Sequence, residues 1–295
     1  MTNSFFISVP ETFDFKHCLS FLSRSPHEVL HVCDGREVIK FIRGEDKNIL
    51  FRVSPADKQG LQVDVLNTSL TRDVREVVES YVREWFDLDT DIAPFYALAA
   101  RDRHLKESVK EYYGYRIVAQ PDLFESLVWA IIGQQINLAF AYTLKRRFVE
   151  NFGEQVTIDG ATYYLFPVPE SIAALSPEDL LQLQFSRQKS RYIIGLAGAF
   201  VSGEISREKL GAMLPAERME TLLRIKGIGT WTANYVLLRT FRHPDALPLG
   251  DAGLNAALRR VLKLDRKPTT AEVQRVFRRY RGWEAYATLY FWKSL

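Results

Sequence analysis

Cysteine is nearly missing from this chain. Cys18 and Cys33 are the only two in 295 residues, too few for a disulfide framework and in keeping with a reducing, cytoplasmic setting. No apolar run reaches the roughly eighteen residues a membrane-spanning helix needs, so no membrane association is expected. The opening Met1-Thr2-Asn3-Ser4-Phe5-Phe6 lacks the basic region and long apolar core of a secretory leader. Histidine is sparse and scattered; His17, His27 and His31 read as surface or strand residues rather than metal ligands. Neither a metal nor a cofactor is expected.

Net charge is also small, +3, but it is unevenly spread. Residues 216–295 hold 15 Lys and Arg against 7 Asp and Glu, while residues 1–215 hold 24 against 29. A basic C-terminal quarter suits a polyanionic partner, although a solvated basic face would give the same count.

What is present divides the chain in two. Up to about residue 88, short segments rich in β-branched residues alternate with turn signals: Phe5–Val9, Glu28–Cys33, Val38–Arg43, Ile49–Val53 and Leu61–Leu66. Helical patterns flank them near Asp14–Ser23 and Thr71–Trp85. The short gaps imply hairpins, hence an antiparallel sheet with helices packed on one face. From Leu88 onward, helical periodicity takes over. An α+β chain is predicted, with an antiparallel α+β domain over 1–88 and an all-α region over 89–295.

The most informative stretch is Met219–Leu254. A helical pattern runs to Arg224, breaks at Ile225-Lys226-Gly227-Ile228-Gly229, and resumes at Thr230 with Trp231, Ala233, Tyr235, Val236 and Leu238. Two glycines one residue apart interrupt a helix, and Thr230 is a suitable N-cap for the next one. Without Cβ atoms, the hairpin's N–H groups and the helix N-terminus can approach a phosphate closely. A tight helix–helix turn with no ligand is the simpler alternative. A proline-containing loop over residues 242–250 leads to Asp251, which precedes another helical pattern and serves equally as an N-cap or as a reacting carboxylate. Within Asp122–Phe148, Gly133-Gln134-Gln135 interrupts an apolar face. Buried unpaired amides cost about 1–3 kcal/mol each, so the pair fits a helix end facing a cleft, or a capping pair.

Helix, G-[IV]-G hairpin, helix and an Asp some twenty residues on resemble the helix–hairpin–helix superfamily of DNA glycosylases. Trp231 and Tyr235, with Tyr290-Phe291-Trp292, resemble its alkylbase branch, the inducible 3-methyladenine glycosylases. That resemblance covers nearly the whole chain. It implies two helical subdomains with a DNA cleft between them, and double-stranded DNA carrying alkylated bases as partner; no protein partner and no oligomer are implied. By it, Asp251 is catalytic, Trp231, Tyr235 and Trp292 wall the base pocket, Lys226, Gly227, Gly229 and Thr230 bind DNA phosphate, and Gln135 enters the base stack. Some relatives place Leu at the last position and Pro at that of Lys226. Bifunctional relatives carry Lys where this chain has Trp231, which implies a monofunctional enzyme that uses water. Iron–sulfur relatives carry four cysteines after the catalytic Asp, and this chain has none there. The implied activity is removal of 3-methyladenine and 7-methylguanine in base excision repair. The alternatives are a non-catalytic DNA-binding module, lacking Asp251 or the pocket, and an oxidised-guanine glycosylase, which Trp231 disfavours.

Overall fold

A computed structural model describes residues 3–56 and 59–295. Met1 and Thr2, where the leader was sought, lie outside the described residues.

The N-terminal part is a five-stranded sheet, β1 (Ser4–Ser8), β2 (His31–Cys33), β3 (Val38–Ile42), β4 (Ile49–Pro55) and β5 (Gly60–Val65), in the order β1-β5-β4-β3-β2. Every pairing is antiparallel; Val53 lies opposite Val63, for example. Two-residue alternation decides which side is inside. Leu61, Val63 and Val65 point inward from β5 while Gln62 and Asp64 do not. Helices Phe15–Leu22 and Arg72–Trp85 cover this inner face, burying Leu19, Leu22, Val78 and Val82. Asp14 and Thr71 cap them by accepting hydrogen bonds from the N–H groups of Lys16 and Val74.

Beyond the sheet and its helices the chain is helical, with one addition. Gln155–Ile158 and Ala161–Tyr164 form a two-stranded hairpin turned by Asp159 and Gly160, both at positive φ. Its Val156, Ile158 and Tyr163 pack on Phe41, Leu50 and Leu165, so it shields the face of the main sheet that the helices leave open. Four residues per strand alternate too briefly for the pattern to stand out from a loop.

Helix Leu123–Ile132 is the axle of the remainder. All its residues except Glu125 are buried, and it packs against helices Thr230–Arg239 and Arg187–Val201. Lys189 Nζ donates to the Ile132 carbonyl at 2.7 Å, closing its C-terminus. The C-terminal helix Glu284–Lys293 buries Tyr286, Leu289, Tyr290 and Phe291. A single apolar core runs from the sheet through these helices. At the seam, Lys145 Nζ sits 3.1 Å from Glu28 and 3.3 Å from Glu125. Among the described residues no helix is long and apolar enough to cross a membrane.

Candidate active site

Helix Pro215–Arg224 ends at Ile225, and the next begins at Thr230. Between them Gly227 adopts φ +94°, a conformation that favours glycine. A Cβ there would also lie 2.5 Å from the Tyr192 ring, so position 227 is closed to any side chain on two counts. Gly229 differs: its φ is −98° and a Cβ would meet open space. Gly229, not Thr230, is the N-cap, and it offers no side-chain acceptor. The expectation for Thr230 therefore needs correcting: Thr230 is the first helical residue. The physical consequence favours anion binding, because no side-chain oxygen occupies the first-turn N–H groups. Lys226, Gly229 and Thr230 are exposed around this opening, while Ile228 is buried beneath it.

The interrupted helix meets the hairpin from the side. The Leu123–Ile132 helix stops at Gly133, and Leu138–Phe152 restarts under the cap of Asn137. Between them Gln135 is exposed at φ +58°, an uncommon conformation for a non-glycine residue. Its neighbour Gln134 turns the other way. Gln134 Nε2 donates to the Gly227 carbonyl at 2.9 Å and to Thr232 Oγ1 at 3.2 Å. The two amides thus have separate tasks: Gln134 braces the loop to the hairpin, and Gln135 is presented outward. The brace was not assigned from sequence, where the two residues read as one polar interruption.

Asp251 caps helix Ala252–Val261, Oδ1 accepting from Leu254 N–H at 2.7 Å. Two indoles also point N–H groups at it. Trp292 Nε1 donates to Oδ1 at 2.9 Å and Trp231 Nε1 to Oδ2 at 3.1 Å. A carboxylate offers about four lone-pair sites, so three donors fix its orientation and leave one site, on Oδ2, unclaimed. Tyr235 stacks on Trp231, with ring centroids 5.6 Å apart and planes 28° apart. The Tyr235 hydroxyl accepts from Trp129 Nε1 at 3.0 Å. Asp251, Trp231, Tyr235 and Trp292, separated by up to 61 positions in sequence, are one contiguous group.

Three further residues shape it without having been singled out. Gly253 lets Trp292 approach: a Cβ would lie 3.2 Å from the indole and 3.3 Å from Asp251 Oδ1. Its signal was a glycine early in a helix, where a better helix former is expected. Asn234 holds the 242–250 loop, donating to the Thr230 carbonyl at 2.9 Å and accepting from Leu247 N–H at 3.2 Å. Arg239 is buried, with its guanidinium 5.4 Å from the Trp292 ring centroid and 4.5 Å from that of Phe21. Nothing in the sequence distinguished it from a surface arginine. Behind Tyr235 lies a cavity of about 50 Å³ at the seam, reached by Arg24, Trp129 and Tyr142.

Residues 128–281 match the family described as HhH-GPD superfamily base excision DNA repair protein, and residues 8–127 match the 8-oxoguanine DNA glycosylase N-terminal domain. The chain belongs to the HhH-GPD superfamily. It is similar to the DNA-3-methyladenine glycosylase of Bacillus subtilis (strain 168), 42% identical over 98% of this chain and 96% of that one. It is also 33% identical to the DNA-3-methyladenine glycosylase 2 of Escherichia coli (strain K12), over 61% of this chain and 60% of the other. Its fold is that of the 3-methyladenine DNA glycosylase from Archaeoglobus fulgidus, with a TM-score of 0.86 at 22% identity over 98% and 97% of the two chains. In this chain strands β2 to β5 of the sheet fall within the residues matched by the second of these families, and the hairpin with its two helices within those matched by the first.

Proposed function

We propose that the protein is a monofunctional DNA glycosylase that removes alkylated purines from double-stranded DNA in the cytoplasm. The observation that carries this reading is Asp251, a single carboxylate held by two indole N–H groups at the edge of an aromatic pocket, with one lone-pair site left over. Breaking an N-glycosidic bond builds positive charge on the deoxyribose. A fixed carboxylate facing C1′ stabilises that charge and orients water for attack at the same carbon. Electrons of the breaking bond pass to the departing base. A purine alkylated at N3 or N7 already carries positive charge, so it leaves without a second acid.

The other residues take supporting roles in this reading. Trp231, Tyr235 and Trp292 receive the base, and stacking with an electron-poor ring is worth about 0.5–2 kcal/mol per good contact. Lys226, the N–H groups around Gly227 and Gly229, and Thr230 hold a backbone phosphate. Gln135, presented outward by its positive φ, fills the gap left by the flipped nucleotide. Residues 1–88 form one unit, and the two halves of the helical region flank the DNA cleft. The names of the relatives support alkylated bases as substrates, and Trp231 in the place of a lysine supports hydrolysis without a covalent intermediate.

The test is incubation with duplex DNA treated with a methylating agent. The expected result is free 3-methyladenine and 7-methylguanine, strand breakage only after alkali or heat, and no adduct on borohydride reduction. A trapped enzyme–DNA adduct, or release confined to a neutral lesion with cationic bases ignored, contradicts the proposal.

A further inference from the structure

The helix that Asp251 caps has an exposed face of unusual composition. Ala252 and Ala256 are small and exposed; beyond them comes Arg259, and past the helix end at Val261 come Lys263 and Lys267. With Asn255 they line a groove of about 520 Å³. Two neighbouring arginines are already engaged. Arg266 forms two hydrogen bonds with Glu272, at 2.8 and 2.9 Å, and Arg260 is tied to the main-chain oxygens of Ser294 and Leu295. By contrast, among the described residues Arg259, Lys263 and Lys267 have no carboxylate within 4.0 Å. Arg259 makes only a long contact, 3.4 Å, to the Leu264 carbonyl. On the groove floor, Asn255 is buried and its Nδ2 has no partner. A buried donor without an acceptor costs about 1–3 kcal/mol.

We infer that this face is a second phosphate track, which holds the duplex on one flank of the damaged nucleotide. The inference rests on the DNA glycosylase reading above. Small residues next to Asp251 let a DNA backbone lie close to the helix, and the cations come where the strand continues past the site. At 1.5 Å per residue, Arg259 lies about 12 Å along the helix from Asp251, and Lys263 follows just past the helix end at Val261, at φ +54°. At 3.4 Å per base pair the cations therefore begin roughly four base pairs from the flipped base. The track is continuous with the active site and carries no sequence information, as phosphate contacts do not.

The experiment compares the wild type with the triple variant Arg259→Gln, Lys263→Gln, Lys267→Gln. Probes are a duplex with long flanks around an abasic-site analogue and two duplexes trimmed to about three base pairs on one side or the other, which is too short to reach the track. Affinity is measured across a salt series. The variant is expected to bind the long duplex more weakly, with a salt slope reduced by about 2 to 3. It should match the wild type on the one trimmed duplex that lacks the contacted flank. Equal loss on all three duplexes, or no change in slope on the long one, overturns the track. Release of methylated bases by the wild type is measured alongside, so failure of the glycosylase reading is recognised separately.

Discussion

Carboxylates lie on either side of the same aromatic wall, and the two sites are built on opposite plans. At the seam, Glu28 and Glu125 share the ammonium of Lys145, and the side chains of all three are nearly buried, at 8%, 12% and 5% exposure. At Asp251 no cation approaches the carboxylate among the described residues; its donors are two neutral indoles and one main-chain N–H. In the paired cluster each carboxylate is already engaged by the shared ammonium. At Asp251 the protein supplies only neutral donors, three in all, and no counter-ion among the described residues. A group meant to meet developing positive charge cannot already be satisfied by an ammonium, so the difference separates a fastening from a reaction centre.

The largest effect is expected from breaking the fastening. Lys145→Met removes the ammonium that two nearly buried carboxylates share and should destabilise the protein by about 3–5 kcal/mol, read from urea unfolding. A loss below 1 kcal/mol would mean that the carboxylates find solvent or other partners.

The same cluster gives a pH dependence. Burial by itself raises the Glu28 pKa, but the Lys145 ammonium and His31 beside it outweigh burial, and the net shift is downward from 4.5. A depressed carboxylate contributes stability that is fully present above its unfolded value and is lost as pH falls below 4.5 toward the folded value. Melting temperature should therefore fall on acidification below that point, and Glu28→Gln should flatten the fall. A parallel decline in the variant assigns the acid sensitivity elsewhere.

At the hairpin, Gly227→Ala must accept φ +94° and displace the Tyr192 ring. Backbone strain of this kind costs about 1–3 kcal/mol, and affinity should drop equally for all duplexes. Gly229→Ala meets no obstruction and should bind within a few-fold of wild type. Equal effects at both positions would remove the steric distinction between the two glycines.

A smaller effect sharpens the Asp251 side of the comparison. Trp292→Phe keeps an aromatic wall and removes one donor from Oδ1. Base release should slow about tenfold, the equivalent of ~1.4 kcal/mol, with all alkylated purines affected alike. An unchanged rate would mean that the indole N–H does not position the carboxylate.

Local patterns made much of this architecture readable. Short β-branched runs marked segments such as Leu61–Leu66 as strands, helical patterns placed Asp14–Ser23 and Thr71–Trp85, and the glycines of the hairpin stood out against two helical periods. What escaped depends on contacts distant in sequence. Lys145 meets Glu28 across 117 positions, and no periodicity encodes such a pairing. Trp231 and Trp292 read as ring faces, yet their edges grip Asp251, because hydrogen-bond direction depends on how two helices cross. Gln135 was singled out by the resemblance alone; that Gln134 turns the other way to brace the hairpin goes with the positive φ at Gln135, which no local pattern marks. The cap moved from Thr230 to Gly229 because the chain enters that helix one residue earlier than the side-chain preference suggests.

The central claim is that one carboxylate, unpaired by any cation, carries the chemistry, and Asp251→Asn tests it most directly. Asn is as good an N-cap as Asp, so helix Ala252–Val261 should persist, as circular dichroism can verify. The measurement is single-turnover release of 7-methylguanine from a defined duplex, with affinity for an abasic-site duplex determined in parallel. The account predicts a loss of release of at least about a hundredfold, with affinity within a few-fold of wild type. Release within tenfold of wild type by a folded variant would contradict it.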